Sequence, residues 1–228
     1  MNQDQTTNFG KIIKEIPMAE RPVFISNIKE VGYVSIQNIN FEWFPGFSVK
    51  QKQKSIESFH KNYHKLAPTA NILEISSKSD KELGVALSAF NLMIKTKNNK
   101  KFSVETAFQA SKVFKLGGPF LDLYDKTSKE AKKDPRIKSS GELIHFQFFG
   151  RNWELEPKTL FYDWLYVNAL ALNKELSEEI IKYDSFTDIE FNPSKSINCQ
   201  AKSAALYVAL YRNGVLDDAI SSTQKFEE

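Results

Sequence analysis

The chain has 228 residues, 41% hydrophobic and 26% charged, which fits one large domain or a domain with an appendage and excludes wholesale disorder. A formal charge of +3 is too small to declare a nucleic-acid partner, and no apolar run approaches the roughly 18 residues of a membrane span. Cys199 is the single cysteine and the opening Met1–Gln5 has neither the basic nor the apolar region of a secretory signal, so the expectation is a cytoplasmic protein.

Residues 1–20 carry no strong period and read as a flexible tail. Arg21–Ile25 predicts a short strand. Tyr33–Trp43 is apolar at nearly every second position, the pattern of a half-buried strand. Pro45-Gly46 ends it, and Ser48 is placed to cap a helix to about Leu66, with Ile56, Phe59 and Tyr63 as its buried stripe. Pro68 stops that helix. The boundary between an N-terminal extension, 21–70, and the main domain, 71–228, falls at about residues 67–70.

The main domain opens with a strand, Asn71–Ile75, and a polar turn, Ser76–Asp80. Leu92–Ile94 and Phe102 flank a hairpin tipped by Lys97–Lys100. A helix is expected from Ser103 to about Phe114, stopped by Gly117-Gly118-Pro119. Residues 125–142 are highly charged and predict a surface helix and loop. His145–Gly150 predicts a strand. Pro157 suits the first position of a helix reaching Asn173, apolar around most of its circumference and therefore central and buried. Leu176–Tyr183 predicts another helix, 184–198 an irregular loop, and Cys199–Arg212 an alanine-rich helix that neighbours can approach closely.

Three polar constellations stand out. In Ser103–Lys112, Glu105, Gln109 and Lys112 fall within about 60° of one another on a helical wheel that is otherwise largely apolar. Such a stripe either faces water or lines a polar cavity, where a carboxylate can act as acid and base. In Ser76-Ser77-Lys78-Ser79, three hydroxyls surround a lysine at the end of a strand. That lysine is either solvated or, if desolvated, a nucleophile. Phe191–Gln200 leads into the last long helix, where free N–H groups suit a phosphate; Lys195 and Lys202 add charge and Asn198 is placed to cap. The loop lacks glycine, so it is neither a Walker loop nor a dinucleotide fingerprint. His60 and His64 are an i,i+4 pair without the other ligands of a zinc site, so no metal is expected. Cys199, at a helix start, reads as a buried structural thiol.

These residues carry a resemblance. Leu73–Ser79 with Leu87-Ser-Ala-Phe90-Asn91, and Ser103-x-Glu105-x-x-Phe108-Gln109-x-x-Lys112, resemble the opening strand, the Leu-Ser-Asn-Phe segment and the Ser-x-Glu-x-x-Phe-Gln-x-x-Lys helix of the NADAR family. Arg21–Ile25, Phe41-x-Trp43-x-Pro-Gly46, Gln51–Ser55 and Phe191–Gln200 are similar to the NADAR antitoxins paired with DarT-type toxins, which ADP-ribosylate guanine in DNA. Many NADAR proteins have an acidic residue and a Trp-Gly-rich loop before the last helix. Here the loop is Asn-Pro-Ser-Lys-Ser, and either Asp188 or Glu190 takes the acidic place.

The resemblance implies an α+β, predominantly helical NADAR-like domain with short strands and an N-terminal β-containing extension. It implies an antitoxin that hydrolyses the N-glycosidic bond between ADP-ribose and guanine in DNA and releases ADP-ribose, without cofactor, metal or membrane, opposite a cognate DarT-type toxin. Lys78 would be the Schiff-base nucleophile and Glu105 the acid/base. Ser77, Ser79, Phe90, Asn91, Phe108, Gln109, Lys112, Trp153, Asn192, Lys195 and Asn198 would bind substrate. The competing readings are an antitoxin that acts by binding its toxin, an N-glycosidase for a riboflavin-pathway intermediate, and a nucleic-acid-binding adaptor without catalysis.

Overall fold

A computed structural model describes residues 16–28 and 32–228. Strands β1 (Met18–Ser26) and β2 (Val34–Glu42) form an antiparallel pair in register from Met18 opposite Glu42 to Ser26 opposite Val34. Met18–Glu20, expected in the tail, are therefore strand; the rest of that tail up to residue 15 lies outside the described residues. Helix α1 (Val49–His64) starts where the sequence places it, with Ser48 Oγ accepting from the Gln51 N–H. Its stripe Ile56, Phe59 and Tyr63 packs on Val23, Ile39 and Phe41 of the sheet, with Phe41 and Phe59 stacked at 4.6 Å.

Strand β3 (Ile72–Glu74) is followed by the short helix α2 (Glu82–Ala86), which no periodicity announced. The hairpin of β4 (Met93–Lys95) and β5 (Lys101–Ser103) forms as expected. Helix α3 (Val104–Ala110) is capped by Ser103 but ends four residues before Phe114. Lys112–Phe114 instead form strand β6, because the edge of β7 (Leu143–Phe148) pairs with them, Lys112 opposite Phe146. The charged stretch contains α4 (Ser128–Lys133), with a capping box from Thr127 and Glu130, and the single turn α5 (Arg136–Ser139). Strand β8 (Arg151–Trp153) completes a three-stranded sheet, β6-β7-β8.

Helix α6 (Leu160–Ala171) begins three residues later than Pro157 suggested. Thr159 precedes it in a left-handed conformation, φ 72°, so 157–159 belong to the loop. The helix is buried as expected. Helix α7 (Lys174–Ile180) follows. The predicted irregular loop 184–198 contains a buried strand, β9 (Ser185–Thr187), which runs antiparallel to β1 and parallel to β3. A three-residue strand is too short to show a period, yet it joins the extension to the main domain in one sheet, β2-β1-β9-β3. Helix α8 (Gln200–Arg212) packs against this sheet and α6, and α9 (Leu216–Ser221) and α10 (Thr223–Glu227) close the chain. The architecture is α+β, with α1 on one side of the four-stranded sheet and α8 on the other. Among the described residues, no helix is long and apolar enough to cross a membrane.

Candidate functional site

A cavity of about 780 Å³ opens where β3, α3, β7, the loop before α6 and the loop before α8 converge. Every residue of α3 is buried, which settles the alternative left open by the helical wheel: the polar stripe lines a cavity. Glu105 is 6% exposed. Its Oε1 accepts from Gln109 Nε2 at 2.9 Å and faces Lys132 Nζ at 3.6 Å. Gln109 Oε1 in turn accepts from Lys112 Nζ at 2.8 Å. Lys112 thus completes the chain from strand β6, although the wheel placed it on the helix. Its ammonium sits 4.8 Å from the Phe108 ring centroid. Burial lowers the Lys112 pKa to about 8, and Lys132 adds to this while Glu105 opposes it.

Of the residues singled out from sequence, Ser77, Phe90, Glu105, Phe108, Gln109, Lys112, Lys195 and Asn198 line this cavity. The lining includes Ser76 and Ser77 but passes over Lys78, half-buried next in the chain. Ser79 Oγ accepts from the Lys81 N–H and packs on Gly84, so it serves the turn. Asn91 donates to the Val85 carbonyl and Ser88 Oγ, closing the segment after α2. Asn192 holds its own loop by accepting from Ser194 N–H and Oγ. Trp153 lies behind the wall, 5.3 Å from Phe161 and 4.7 Å from Trp164, ring to ring. Asn198 is not the helix cap; Cys199 occupies that position with no side-chain bond and is buried, which pushes its thiol pKa well up.

Sequence reasoning left Asp188 and Glu190 undecided. Both line the cavity, but they differ in environment. Glu190 is partly exposed and pairs with Lys52 at 3.2 Å. Asp188 is buried, accepting from the Glu190 N–H at 3.0 Å and Gln200 Nε2 at 3.0 Å. Burial, with the like charge of Glu74, pushes its pKa up to about 8. Glu74 was missed because β3 reads as an apolar strand. It is 1% exposed, accepts from Thr187 Oγ1 at 2.6 Å and the Ile189 N–H at 2.8 Å, and has its pKa raised by burial. Behind Thr187 stands His60, at 2.8 Å, whose pKa burial lowers to about 3. Gln200 was missed too. Its amide bridges the Ala89 N–H, the Ile75 carbonyl and Asp188, tying three cavity walls together.

The opposite wall is the loop before α6. Thr159 is held there by Asp163, whose carboxylate accepts from Thr159 Oγ1 (2.7 Å), Lys202 Nζ (3.0 Å) and Ser203 Oγ (2.6 Å). Lys202, expected near a phosphate, is committed to this network. Among the described residues, no group of three or more His, Cys, Asp or Glu could hold a metal ion.

A carboxylate, an amide and a desolvated amine joined in one enclosed cleft define an α+β protein equipped for acid–base chemistry on a polar ligand. The model of the DarT1-associated NADAR antitoxins matches residues 19–228, and the chain belongs to that family. It is accordingly an antitoxin of the glycosidase-like NADAR class, associated with a DarT1-type toxin. No match is found among curated proteins.

Proposed function

We propose that this antitoxin removes ADP-ribose from guanine bases in DNA by hydrolysing the N-glycosidic bond, with Glu105 moving protons and a lysine forming a Schiff base. The observation that carries this reading is the hydrogen-bonded chain Lys112–Gln109–Glu105 in the cleft, buried at Gln109 and Glu105. A lysine nucleophile needs a neutral amine. Lowering its pKa from 10.5 to about 8 raises the neutral fraction at pH 7 by roughly two orders of magnitude. This favours Lys112 over Lys78 as the nucleophile and leaves Lys78 at the cleft's edge.

The sequence of bonds balances without a cofactor. Ring opening of the ribose breaks C1–O4, passes the proton of the exocyclic guanine N–H to O4 by way of Glu105, and leaves an imine between C1 and that nitrogen. The Lys112 amine adds to C1, Glu105 delivers a proton to the guanine nitrogen, and the C–N bond breaks. Water adds to the resulting lysine imine, the amine leaves, and the aldehyde recloses as ADP-ribose. Asp188, whose pKa is raised by burial and by the like charge of Glu74, stands in the same cleft as a further group able to hold a proton. Lys195 and the N–H groups at the start of α8 suit the pyrophosphate.

Borohydride added during turnover should reduce the imine and leave ADP-ribose covalently on the protein, and peptide mapping should find it on Lys112. Lys112→Arg keeps charge and removes the nucleophile, so it should abolish both trapping and release of ADP-ribose. Trapping on Lys78, with Lys112→Arg still active, would exchange the two roles. No ADP-ribose released by wild-type protein from modified DNA would remove the reading altogether.

A further inference from the structure

A second concavity, of about 750 Å³, lies along the outer face of α1; Lys50, Lys54, Glu57, Lys61 and Asp80 line it, with Ile56 and His60 among the rest. On a helix, residues 50, 54 and 61 lie within about 40° of one another, spaced about 6 and about 10 Å along the axis. All three lysines are exposed, and none has an ion pair among the described residues. Lys52 points the other way, to Glu190 and the face of Trp43. Its inward commitment separates it from Lys50 and Lys54, which the sequence alternates with it. The groove's acids are Glu57 and Asp80; His60 is uncharged because burial lowers its pKa, and His64 Nε2 lies 3.1 Å from the Ala70 carbonyl.

Two further observations point to the occupant. Phe47, one turn before Lys50, is 98% exposed, an aromatic face with nothing stacked on it. The groove also adjoins the cleft: the turn after β3 contributes Ser76 and Ser77 to the cleft and Asp80 to the groove, with Lys78 between them. Unpaired cations in a row on one helix face, with an exposed aromatic ring just before the helix begins, match the way single strands are held, with phosphates on lysines and a base on the ring. Ile56 is the one apolar residue of the lining and is buried, so the groove offers a protein partner little exposed apolar side chain.

We propose that the α1 groove binds single-stranded polynucleotide, with phosphates along Lys50, Lys54 and Lys61 and a base on Phe47, and leads the strand over Lys78 into the cleft. The proposal rests on the reading of the cleft as a site for a modified base in DNA. It makes the extension the part of the molecule that distinguishes a polynucleotide from a mononucleotide.

The test compares binding and turnover. Fluorescence anisotropy of a labelled, unmodified single-stranded oligonucleotide is measured across a salt series for wild type, for Lys50→Gln/Lys54→Gln/Lys61→Gln and for Phe47→Ala. Three lost phosphate contacts should lower the slope of log K against log salt by about 2. Losing one stacked base should weaken binding roughly tenfold. Hydrolysis of an ADP-ribosylated guanine mononucleotide should be unchanged in all variants, and circular dichroism checks that they fold. An unchanged slope and affinity in the triple variant would overturn the proposal. So would loss of affinity for purified toxin with oligonucleotide binding intact, which would make the groove a protein surface. Failure of the wild type on the mononucleotide would instead strike the reading of the cleft, leaving the binding result to stand or fall separately.

Discussion

Asp188→Asn should flatten the pH dependence of stability between about pH 6.5 and 8. Asp188 has its pKa raised by burial and by Glu74, so the folded protein retains a proton that the unfolded chain has released above about pH 4. Stability changes with pH as the proton count of the unfolded state minus that of the folded state. Here the folded state holds more, so stability falls as pH rises, at about 1.4 kcal/mol per pH unit per retained proton. His60 acts in the opposite sense. Its folded pKa is lowered to about 3, so the unfolded chain binds the extra proton and stability rises with pH, but only up to about 6.5. Above that pH His60 is neutral in both states, and the carboxylates are opposed only by Lys112, whose lowered pKa lets the folded state release a proton that the unfolded chain keeps as pH nears 8. Wild type should therefore lose about 1 kcal/mol from pH 6.5 to 8, and the Lys112 contribution is common to both proteins. The asparagine also disturbs the bond from Gln200, a loss of about 1 kcal/mol that does not vary with pH, so the readout is the slope and not the level. Urea melts at four pH values give both. Equal slopes in the two proteins would refute the assignment of a retained proton to Asp188.

Gly84→Ala should cost more than about 2 kcal/mol in a urea melt, because its Cβ would overlap the Glu74 carbonyl oxygen and Ser79 Oγ, and α2 has no room to withdraw from β3. Asp163→Ala strands Lys202, Thr159 and Ser203 together and should destabilise by about 3 kcal/mol, read as a fall in Tm of roughly 8 °C. Glu105→Gln should lower kcat by about 100-fold or more in a single-turnover assay while leaving Tm near wild type. The rate of ADP-ribose release should rise with pH and level off near 8, as the Lys112 amine loses its proton; a rate flat from pH 6 to 9 would speak against that amine.

The elements with enough length to show a period were legible in the sequence. Ser48, Ile56, Phe59 and Tyr63 fix α1, and the alternation through Phe41 fixes β2. The failures share a cause. Strands β6 and β9 have three residues each and exist because neighbouring edges pair with them, information that resides in distant segments. Local preference therefore continued α3 through Lys112 and left 184–198 as a loop. The site divides in the same way. Glu105 and Gln109 are visible because a polar pair on an apolar helix is conspicuous. Glu74 is invisible because its partners, Thr187 and Ile189, come from β9 and the turn after it, more than a hundred residues away. Asp188 and Glu190 are indistinguishable by type and separated by environment alone, one buried beside Glu74 and the other paired with Lys52.

Of the chain's 31 lysines and arginines only Arg21, Arg136, Arg151 and Arg212 are arginine, and this scarcity acquires a physical meaning at the cleft. Four lysines line it, Lys112, Lys132, Lys158 and Lys195, and no arginine does. Guanidinium remains charged at any accessible pH, whereas an ammonium can give up its proton when burial makes the charge expensive. A cleft that must both attract a pyrophosphate and offer one neutral amine cannot be built from arginine alone. Lysines in graded environments meet both needs: Lys112 is desolvated against Phe108 and loses basicity, while Lys132, at the cleft's edge, remains half-exposed and pairs with Glu105. The same two cations repel each other, so Lys132 helps to lower the Lys112 pKa while providing positive charge for the phosphates. Replacing Lys132 with glutamine should therefore weaken ADP-ribose binding and raise the Lys112 pKa together. The two effects are separable, because the first appears in a titration with ADP-ribose and the second in the pH at which turnover levels off.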